Sequence, residues 1–240
     1  MELSVVIPLH NEQENVGPLI EEIHIALSGI DYEIICIDDG SSDGTLDRLR
    51  ALSAGSQRLR ILRHSRKSGQ STAVWNGVRY SRAPWIATLD GDGQNDPADI
   101  PRLFRRVRDE AAGKPTCVCG WRRNRRDTLL KRISSKVANH VRVRLLRDNT
   151  PDTGCGLKVF SREAFLLLPY FDHMHRFLPA LFLRGGYGIE SMEVNHRPRC
   201  RGKSKYGLHN RLWAGIIDLL GVYWLLHRSR LPEIVEDKLP

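Results

Sequence analysis

The fold is decided by one stretch, Trp85-Ile86-Ala87-Thr88-Leu89-Asp90-Gly91-Asp92-Gly93-Gln94. Its first five residues are mostly apolar and are bounded by turn residues, which is typical of a buried β-strand. Side chains two positions apart in an extended chain point the same way, so we expect Asp90 and Asp92 to face one point. Two adjacent carboxylates suit Mg²⁺ or Mn²⁺ shared with the phosphates of a substrate. A lone Asp-Gly-Asp is more often an ordinary turn, so the rest of the chain must decide.

Strands and helices alternate on both sides of this stretch. Apolar runs predict strands at 3–8, 32–37, 59–62, 85–89, 116–121 and 189–194. Helical spacing predicts helices at 12–27, 45–53, 70–81, 97–111, 161–168, 175–184 and 210–227. A basic, helical stretch at 122–147 and a glycine-rich segment at 152–160 lie between the two halves. The alternation predicts an α/β fold with a mostly parallel sheet and helices on both faces.

Composition limits the partners and the compartment. The chain has 240 residues and a net charge of +9, which favours polyanionic partners such as nucleotides, phospholipid surfaces or nucleic acid. No nucleic-acid motif appears and no aromatic residues alternate with the basic run, so we expect no nucleic acid. The five cysteines are scattered and form no CxxC pair. Cys36, Cys117 and Cys119 lie inside apolar runs, which predicts buried thiols in a reducing compartment. The N-terminus lacks the features of a signal peptide, so we predict a cytoplasmic location.

Acidic or polar pairs follow three of the predicted strands. They are Asn11-Glu12, Asp38-Asp39 and the pair Asp90 and Asp92. In a parallel sheet these strand ends meet at one edge, which is where open α/β sheets bind ligands. One acidic pair is usually a solvated loop, but three at successive strand ends predict a site for a ribose, a base and a metal-bound diphosphate.

These motifs resemble family 2 glycosyltransferases with the GT-A fold, and most of all the dolichol-phosphate mannose synthase group, which glycosylates polyprenyl phosphates. The resemblance rests on Val6-Ile7-Pro8-Leu9-His10-Asn11-Glu12, Asp38-Asp39-Gly40-Ser41-Ser42-Asp43-Gly44-Thr45 and Asp90-Gly91-Asp92-Gly93-Gln94. It also takes in Gly69-Gln70, Gly120-Trp121-Arg122 and Arg201-Gly202-Lys203-Ser204-Lys205-Tyr206, and it covers about 3–207. His10 departs from the aromatic residue that is usual after the proline.

The resemblance implies roles for individual residues. The donor nucleotide would be held by Pro8, Glu12, Asp38, Asp39, Gly69 and Lys205. The metal, Mg²⁺ or Mn²⁺, would be ligated by Asp90, Asp92 and Gln94. The phosphate of the acceptor lipid would be held by Arg122, Arg132 and Ser135. A loop that closes over the donor would carry Arg201, Ser204 and Lys205. The residues expected to act in catalysis are Asp92, Arg122 and Arg201.

The chemistry of the sequence agrees with this assignment. Breaking a sugar–diphosphate bond builds charge on the leaving group, which a metal and nearby Arg or Lys can neutralise. An acceptor phosphate is already anionic near neutral pH and requires no general base. This matches the lack of a recognisable Ser/His/Asp or Cys/His grouping. The alternative for the basic run at 122–136 is a solvated face or a non-specific polyanion surface.

We divide the chain into a catalytic domain at 1–207 and a C-terminal amphipathic helix and tail at 208–240. The helix has an apolar core of only about 15 residues that contains Asp218, which disfavours a membrane span. The alternatives are attachment to an anionic membrane surface, packing on a separate membrane-anchoring protein, or a capping helix of the same domain.

The expected function is metal-dependent, inverting transfer of a sugar from a nucleotide-diphosphate sugar to a polyprenyl phosphate, at the cytoplasmic face of a membrane. The nearest alternative is the same fold acting on a saccharide or other soluble acceptor in cell-envelope polysaccharide synthesis. A nucleotidyltransferase is disfavoured, because no glycine-rich phosphate loop with Arg or Lys opens the first helix.

Overall fold

The computed structural model describes residues 1–110, 116–123, 139, 141–198 and 208–228. The strands are β1 Leu3–Leu9, β2 Tyr32–Asp38, β3 Leu59–Arg63, β4 Trp85–Thr88, β5 Thr116–Trp121, β6 Lys158–Ser161 and β7 Gly188–Glu193. The helices are α1 Val16–Ala26, α2 Thr45–Ala54, α3 Gln70–Tyr80, α4 Ile100–Glu110, α5 Arg162–Leu166, α6 Leu178–Arg184 and α7 Leu208–Arg228. Two 3₁₀ turns occupy Pro97–Asp99 and Met174–Arg176, and 141–146 is helical.

The seven strands form one sheet in the order β3-β2-β1-β4-β6-β5-β7. All of them run parallel except β6, which is antiparallel to both β4 and β5. The prediction of a mostly parallel α/β sheet is therefore confirmed. Parallel strands present their carboxyl ends at the same edge, so the residues that follow β2, β1 and β4 lie side by side.

Strand β6 was not predicted. We expected a glycine-rich connection at 152–160 followed by a helix from 161, whereas Lys158–Ser161 pairs with β4 and β5. Four residues are too few for a period to stand out from the flanking segment, and their partners lie more than thirty positions away in sequence. The predicted helix at 175–184 also divides, into a 3₁₀ turn and the shorter α6.

Helices cover both faces of the sheet, because the central strands are apolar on both sides. In β1, Val5 and Ile7 enter a core shared with α1 and α4, while Val6 enters a second core with α3, α5 and α6. The alternation follows from the two-residue repeat of an extended strand. The cysteines that lie in the described residues, Cys36, Cys117, Cys119 and Cys155, are buried free thiols, which confirms the prediction made for the first three.

Helix α7 packs on this body with one side only. Val222 is 2% exposed and joins the second core. The carboxylate of Asp218 lies 2.7 Å from Nδ1 of His173, in the turn before α6. The other side of α7 carries large apolar residues that are exposed: Ile216, Ile217, Leu220, Tyr223 and Trp224. In the part of the chain that the structure describes, α7 and every other helix are too short or too polar to cross a membrane.

Candidate functional site

The three acidic or polar pairs come together, as predicted, because their strands are neighbours. Strand β1 lies between β2 and β4, with Leu9 opposite Asp38 and Val6 opposite Thr88. Backbone hydrogen bonds continue this arrangement beyond the strands, since the amide of Asp39 donates to the carbonyl of Leu9 at 2.7 Å. We call this carboxyl end of β2, β1 and β4 the acidic edge.

The pair that follows β4 forms the metal end of the acidic edge. Nε2 of Gln70, the first residue of α3, donates to Oδ1 of Asp90 at 2.8 Å. The amide of Gln94 donates to Oδ1 of Asp92 at 3.1 Å, which fixes the turn between the two residues. Gln94, the third predicted ligand, is half-buried in the same turn. The structure therefore gathers the predicted metal-binding side chains in one turn, and their role as ligands stays a prediction.

The glycine-rich segment predicted at 152–160 lies directly against Asp90. A Cβ atom on Gly156 would stand 2.3 Å from Cγ of Asp90, which is closer than any real contact. The hydroxyl of Thr88 donates to the carbonyl of Gly156 at 2.7 Å and holds the segment in this position. Gly156 is thus required for space, since only a residue without a side chain leaves room for the Asp90 carboxylate.

The charge of Asp90 is poorly compensated by the protein. Burial raises the pKa of Asp90, and the charge of Asp92 raises it further, although Lys158 and Arg122 act in the opposite direction. A divalent cation next to both carboxylates would offset this cost, so the two residues fit a Mg²⁺ or Mn²⁺ site. Among the described residues no group of three His, Cys, Asp or Glu side chains could hold a metal ion. The pair therefore leaves coordination positions for an amide, water or phosphate.

Asp39 is surrounded by donors instead. Its Oδ1 accepts from Nδ1 of His64 at 2.8 Å and from the amide of Ser68 at 2.7 Å, and its Oδ2 accepts from the amide of Gly69 at 2.9 Å. Burial alone would raise the pKa of Asp39, but these three hydrogen bonds outweigh it and lower the pKa. The predicted nucleotide residues Asp39 and Gly69 are therefore in direct contact with each other.

The other residues predicted to hold the nucleotide lie around Asp39. Asp38 is 1% exposed, and its Oδ2 has no hydrogen-bond partner among the described residues. The Glu12 carboxylate accepts from Nδ2 of Asn15 at 2.7 Å, and Pro8 lies half-buried in β1. His10 uses Nδ1 to bind the carbonyl of Asp39 at 2.9 Å. A buried carboxylate oxygen without a donor is uncommon, and it marks Asp38 as a place for a ligand hydroxyl or N–H group.

Arg122, predicted to bind the acceptor phosphate, follows β5 and holds a carboxylate of its own chain. Its Nε and Nη2 donate to the two oxygens of Asp152 at 2.7 and 2.9 Å, and both side chains are nearly buried. The hydrogen bonds and charge of Asp152 raise the pKa of Arg122 even though burial lowers it. The role of Arg122 at a phosphate stays a prediction. Arg132, Ser135, Arg201, Ser204 and Lys205 lie outside the described residues.

The chain after β7 returns to the metal end just before the predicted closing loop. His196 forms a β-bridge with Asn95, and the amide of Arg197 donates to the carbonyl of Gln94 at 3.0 Å. The Arg197 guanidinium also pairs with Glu22 on α1 and with Asp96, each at 2.6 Å. The chain that leads into the loop predicted to carry Arg201, Ser204 and Lys205 therefore passes beside Gln94.

Sequence patterns did not reveal several residues of the acidic edge. Lys158 is 3% exposed, and its Nζ donates to the carbonyls of Thr153 and Cys155. Asp152 and His64 bind partners that are distant in sequence, namely Arg122 and Asp39. The one usable signal was Gly69-Gln70, which belongs to the family resemblance but carried no role for Gln70. A polar residue at the start of a helix after a glycine gives no sign of its partner.

Comparison with known proteins adds the family. Residues 4–167 match the model of glycosyl transferase family 2. Dodecaprenyl-phosphate galacturonate synthase of Rhizobium johnstonii is 37% identical over 97% of this chain and 69% of its own length. Undecaprenyl-phosphate 4-deoxy-4-formamido-L-arabinose transferase of Aeromonas hydrophila is 34% identical over 86% of this chain and 63% of its own length. The chain thus spans about two thirds of the length of these relatives.

A solved structure supports the fold. Glucosyl-3-phosphoglycerate synthase from Mycobacterium tuberculosis, in complex with Mn²⁺, UDP-glucose and phosphoglyceric acid, superposes with a TM-score of 0.70 at 19% identity. The match covers 94% of this chain and 79% of that one. It confirms the GT-A fold that the motifs predicted. With the family model matching well over half of its residues, the chain belongs to glycosyl transferase family 2.

Proposed function

We propose that the protein transfers a sugar from a nucleotide-diphosphate sugar to a polyprenyl phosphate, with a divalent cation and with inversion at the anomeric carbon. The observation that carries the proposal is the acidic edge, where Asp90 lies beside Asp92 and has a pKa raised by burial and by that neighbouring charge. The names of both relatives contain a polyprenyl phosphate, and the similarity extends over most of this chain.

One end of the acidic edge would bind the diphosphate of the donor through the metal, and the other end would bind its nucleoside. Asp90, Asp92 and Gln94 would hold Mg²⁺ or Mn²⁺, which when bound neutralises charge on the departing diphosphate. Asp38 and Glu12 lie at the other end, where Oδ2 of Asp38, which has no partner among the described residues, suits a hydroxyl or N–H group of the nucleoside. Pro8, Asp39, Gly69 and Lys205 complete the proposed nucleotide contacts.

The proposed reaction is a single displacement. A phosphate oxygen of the acceptor bonds to the anomeric carbon while the bond from that carbon to the nucleoside diphosphate breaks. The oxygen is already ionised near neutral pH, so the step needs no proton acceptor. The proposed phosphate contacts are Arg122, Arg132 and Ser135, because one guanidinium group can donate two parallel hydrogen bonds to two phosphate oxygens. Arg201 is proposed to neutralise charge on the leaving group.

The outer side of α7 supports attachment to a membrane. Ile216, Leu220 and Trp224 are four residues apart, so they share one face of the helix, and Trp224 is 61% exposed. The helix ends with His227 and Arg228, and the whole chain carries a net charge of +9, which suits an anionic lipid surface. We propose that this face lies on the cytoplasmic surface of the membrane that holds the acceptor. A separate membrane-anchoring protein is the alternative occupant.

The activity is tested by incubating the protein with a panel of nucleotide sugars, Mn²⁺ and undecaprenyl phosphate, and by measuring sugar in the organic phase. We expect a lipid-linked sugar with one donor, and none after chelation of the metal. A sugar product that stays in the aqueous phase with a saccharide acceptor would replace the lipid acceptor with a soluble one. No transfer to either acceptor, with donor bound, would contradict the proposed reaction.

The membrane face is tested by flotation with vesicles that contain phosphatidylglycerol. We expect the double variant Leu220→Ser, Trp224→Ser to bind the vesicles at least about tenfold more weakly, because it lacks two large apolar side chains that would be buried in the membrane. Leu167→Ser is the matched control, since Leu167 is 71% exposed directly after α5 and is not part of the face. Equal binding by all three proteins would exclude the vesicle surface and favour a protein partner.

A further inference from the structure

His64 follows β3 and contacts Asp39 of the acidic edge directly, whereas it is linked to Asp90 only through other residues. Its side chain is 12% exposed, and its Nδ1 lies 2.8 Å from Oδ1 of Asp39. On the opposite side of the ring, Nδ2 of Asn76 on α3 lies 3.0 Å from Nε2. Neither the sequence motifs nor the family resemblance assigned a role to His64 or Asn76.

The two contacts define the proton on the ring. A carboxylate only accepts hydrogen bonds, so Nδ1 of His64 donates to Asp39. In the neutral imidazole the other nitrogen is then an acceptor, and the amide of Asn76 donates to it. Asn76 therefore orients the ring so that its N–H group points at Asp39. A hydrogen bond at one ring nitrogen commonly determines which nitrogen of a histidine carries the proton.

Asp39 in turn holds the start of α3. Its carboxylate accepts from the amides of Ser68 and Gly69, and Gly69 has a φ of 92°, a conformation that favours glycine. A carboxylate at this position also stabilises the helix, since the N-terminus of a helix attracts negative charge. The next residue is Gln70, whose amide group binds Asp90 at 2.8 Å. The start of α3 thus connects Asp39, a proposed nucleotide contact, with Asp90 at the metal end of the acidic edge.

We propose that His64 is a positioning residue, which holds Asp39 on the amides of Ser68 and Gly69 and thereby sets Gln70 against Asp90. Among the described residues, the hydrogen bonds of His64 go to Asp39 and Asn76 and not to Asp90 or Asp92. Its effect on the metal passes through the segment Ser68–Gln70. The effect on metal binding rests on the proposed function, whereas the hold on this segment does not.

The test compares two substitutions of one residue. Asn at position 64 keeps an N–H group where Nδ1 stands, so His64→Asn should preserve the bond to Asp39, whereas His64→Leu removes it. We expect hydrogen exchange in peptides covering 66–72 to be about tenfold faster in His64→Leu, because a hydrogen bond to a charged group is lost. In His64→Asn the exchange should stay close to the wild-type rate.

Binding of Mn²⁺ alone, followed by electron paramagnetic resonance, supplies the second measurement. We expect His64→Leu to weaken it by about tenfold, as changes outside the ligands commonly do, and His64→Asn to restore most of it. Asn76→Leu, which leaves Asp39 untouched, should give an intermediate effect in both measurements. His24→Leu is the matched control, because His24 is a half-buried histidine on α1 that binds only Tyr32.

The outcomes separate the two proposals. Wild-type exchange in His64→Leu, or equal damage from His64→Asn and His64→Leu, would overturn the positioning role. If wild-type protein binds no Mn²⁺, the proposed metal site fails, and exchange in 66–72 still decides whether His64 holds the segment. If His64→Leu does not fold, Asn76→Leu decides in its place, and unchanged exchange in that variant would contradict the proposal.

Discussion

Asp39 follows β2 and Asp90 lies just beyond β4, the two strands on either side of β1, yet the surroundings of the two carboxylates differ. Asp39 accepts three hydrogen bonds from its own chain, and its pKa is lowered. Asp90 accepts one side-chain hydrogen bond, faces Asp92, and has a raised pKa because it is buried beside a like charge. The comparison teaches that strand-end carboxylates of one type serve two purposes. The first organises the chain, whereas the second fits the metal site that we propose.

The strongest test of this comparison removes the cation-binding charge. We expect Asp92→Asn to lower activity by about 10³-fold or more, since a bound metal supplies several kcal/mol of charge stabilisation. Transfer of sugar to the lipid acceptor is the measurement. Asp47→Asn, on the exposed side of α2, is the control. Activity within about tenfold of wild type would show that the Asp90–Asp92 turn is not a metal site.

A second substitution tests the organising carboxylate. Asp39→Asn leaves one oxygen to meet three donors, so we expect the free energy of unfolding to fall by about 2 kcal/mol. Unfolding in urea, without metal or nucleotide, measures the change. If stability is unchanged and only nucleotide binding is lost, Asp39 acts as a ligand and does not organise the start of α3.

A smaller effect on metal binding is expected from Gln70, which links the start of α3 to Asp90. Gln70→Met keeps the length of the side chain but removes the donor to Asp90, so Mn²⁺ should bind about tenfold more weakly. Gln57→Met provides the control, because Gln57 is exposed in the loop before β3. Tighter binding of Mn²⁺ by Gln70→Met would mean that Gln70 competes with the metal for Asp90.

The smallest expected effect is a difference in pH dependence. The raised pKa of Asp90 means that, without metal, ionisation of Asp90 costs stability as the pH rises above its ordinary value of 3.8. Asp90→Asn should therefore be more stable than wild type at neutral pH, by an amount that disappears as the pH falls through the raised pKa.

Asp39 should show the opposite sign. Its lowered pKa contributes stability that is present above 3.8 and is lost as the pH falls through the folded-state value. The free energy of unfolding of Asp39→Asn should therefore be lower than that of wild type near neutral pH, and this difference should shrink only in acid. Urea unfolding in the presence of a chelator, from about pH 3 to pH 8, measures both differences, and parallel curves for the two variants would contradict the comparison.

Much of this architecture could be predicted from the sequence, because it depends on local patterns. Apolar runs ending in Asp38 or before Asp90 identified the strands, and three such ends in a parallel sheet must meet. The motifs then identified the family, and the relatives agree. Helix boundaries differed by a few residues, as at α1, where the chain from Glu12 to Asn15 forms a turn before Val16.

The contacts that adjust these carboxylates could not be predicted, because they join residues that are far apart in sequence. Asp39 and Ser68, Gln70 and Asp90, and Arg122 and Asp152 are separated by 29, 20 and 30 positions. Strand β6 was missed for the same reason, since its only support is pairing with β4 and β5. Charge and period identify which residues are polar or apolar, whereas partners depend on how the strands are ordered.

Gly156 has a consequence for how this chain can vary among its relatives. Its neighbour is a carboxylate at 2.3 Å from a hypothetical Cβ, so even alanine would displace Asp90. Apart from its two chain neighbours, no atom of the described residues lies within 4 Å of a Cβ built on Gly93, and its φ of 72° is a conformation that asparagine also adopts. Across active relatives, position 156 should therefore admit glycine alone, while position 93 should drift between glycine and asparagine. A relative that carries a larger residue at 156 should also have lost the acidic pair.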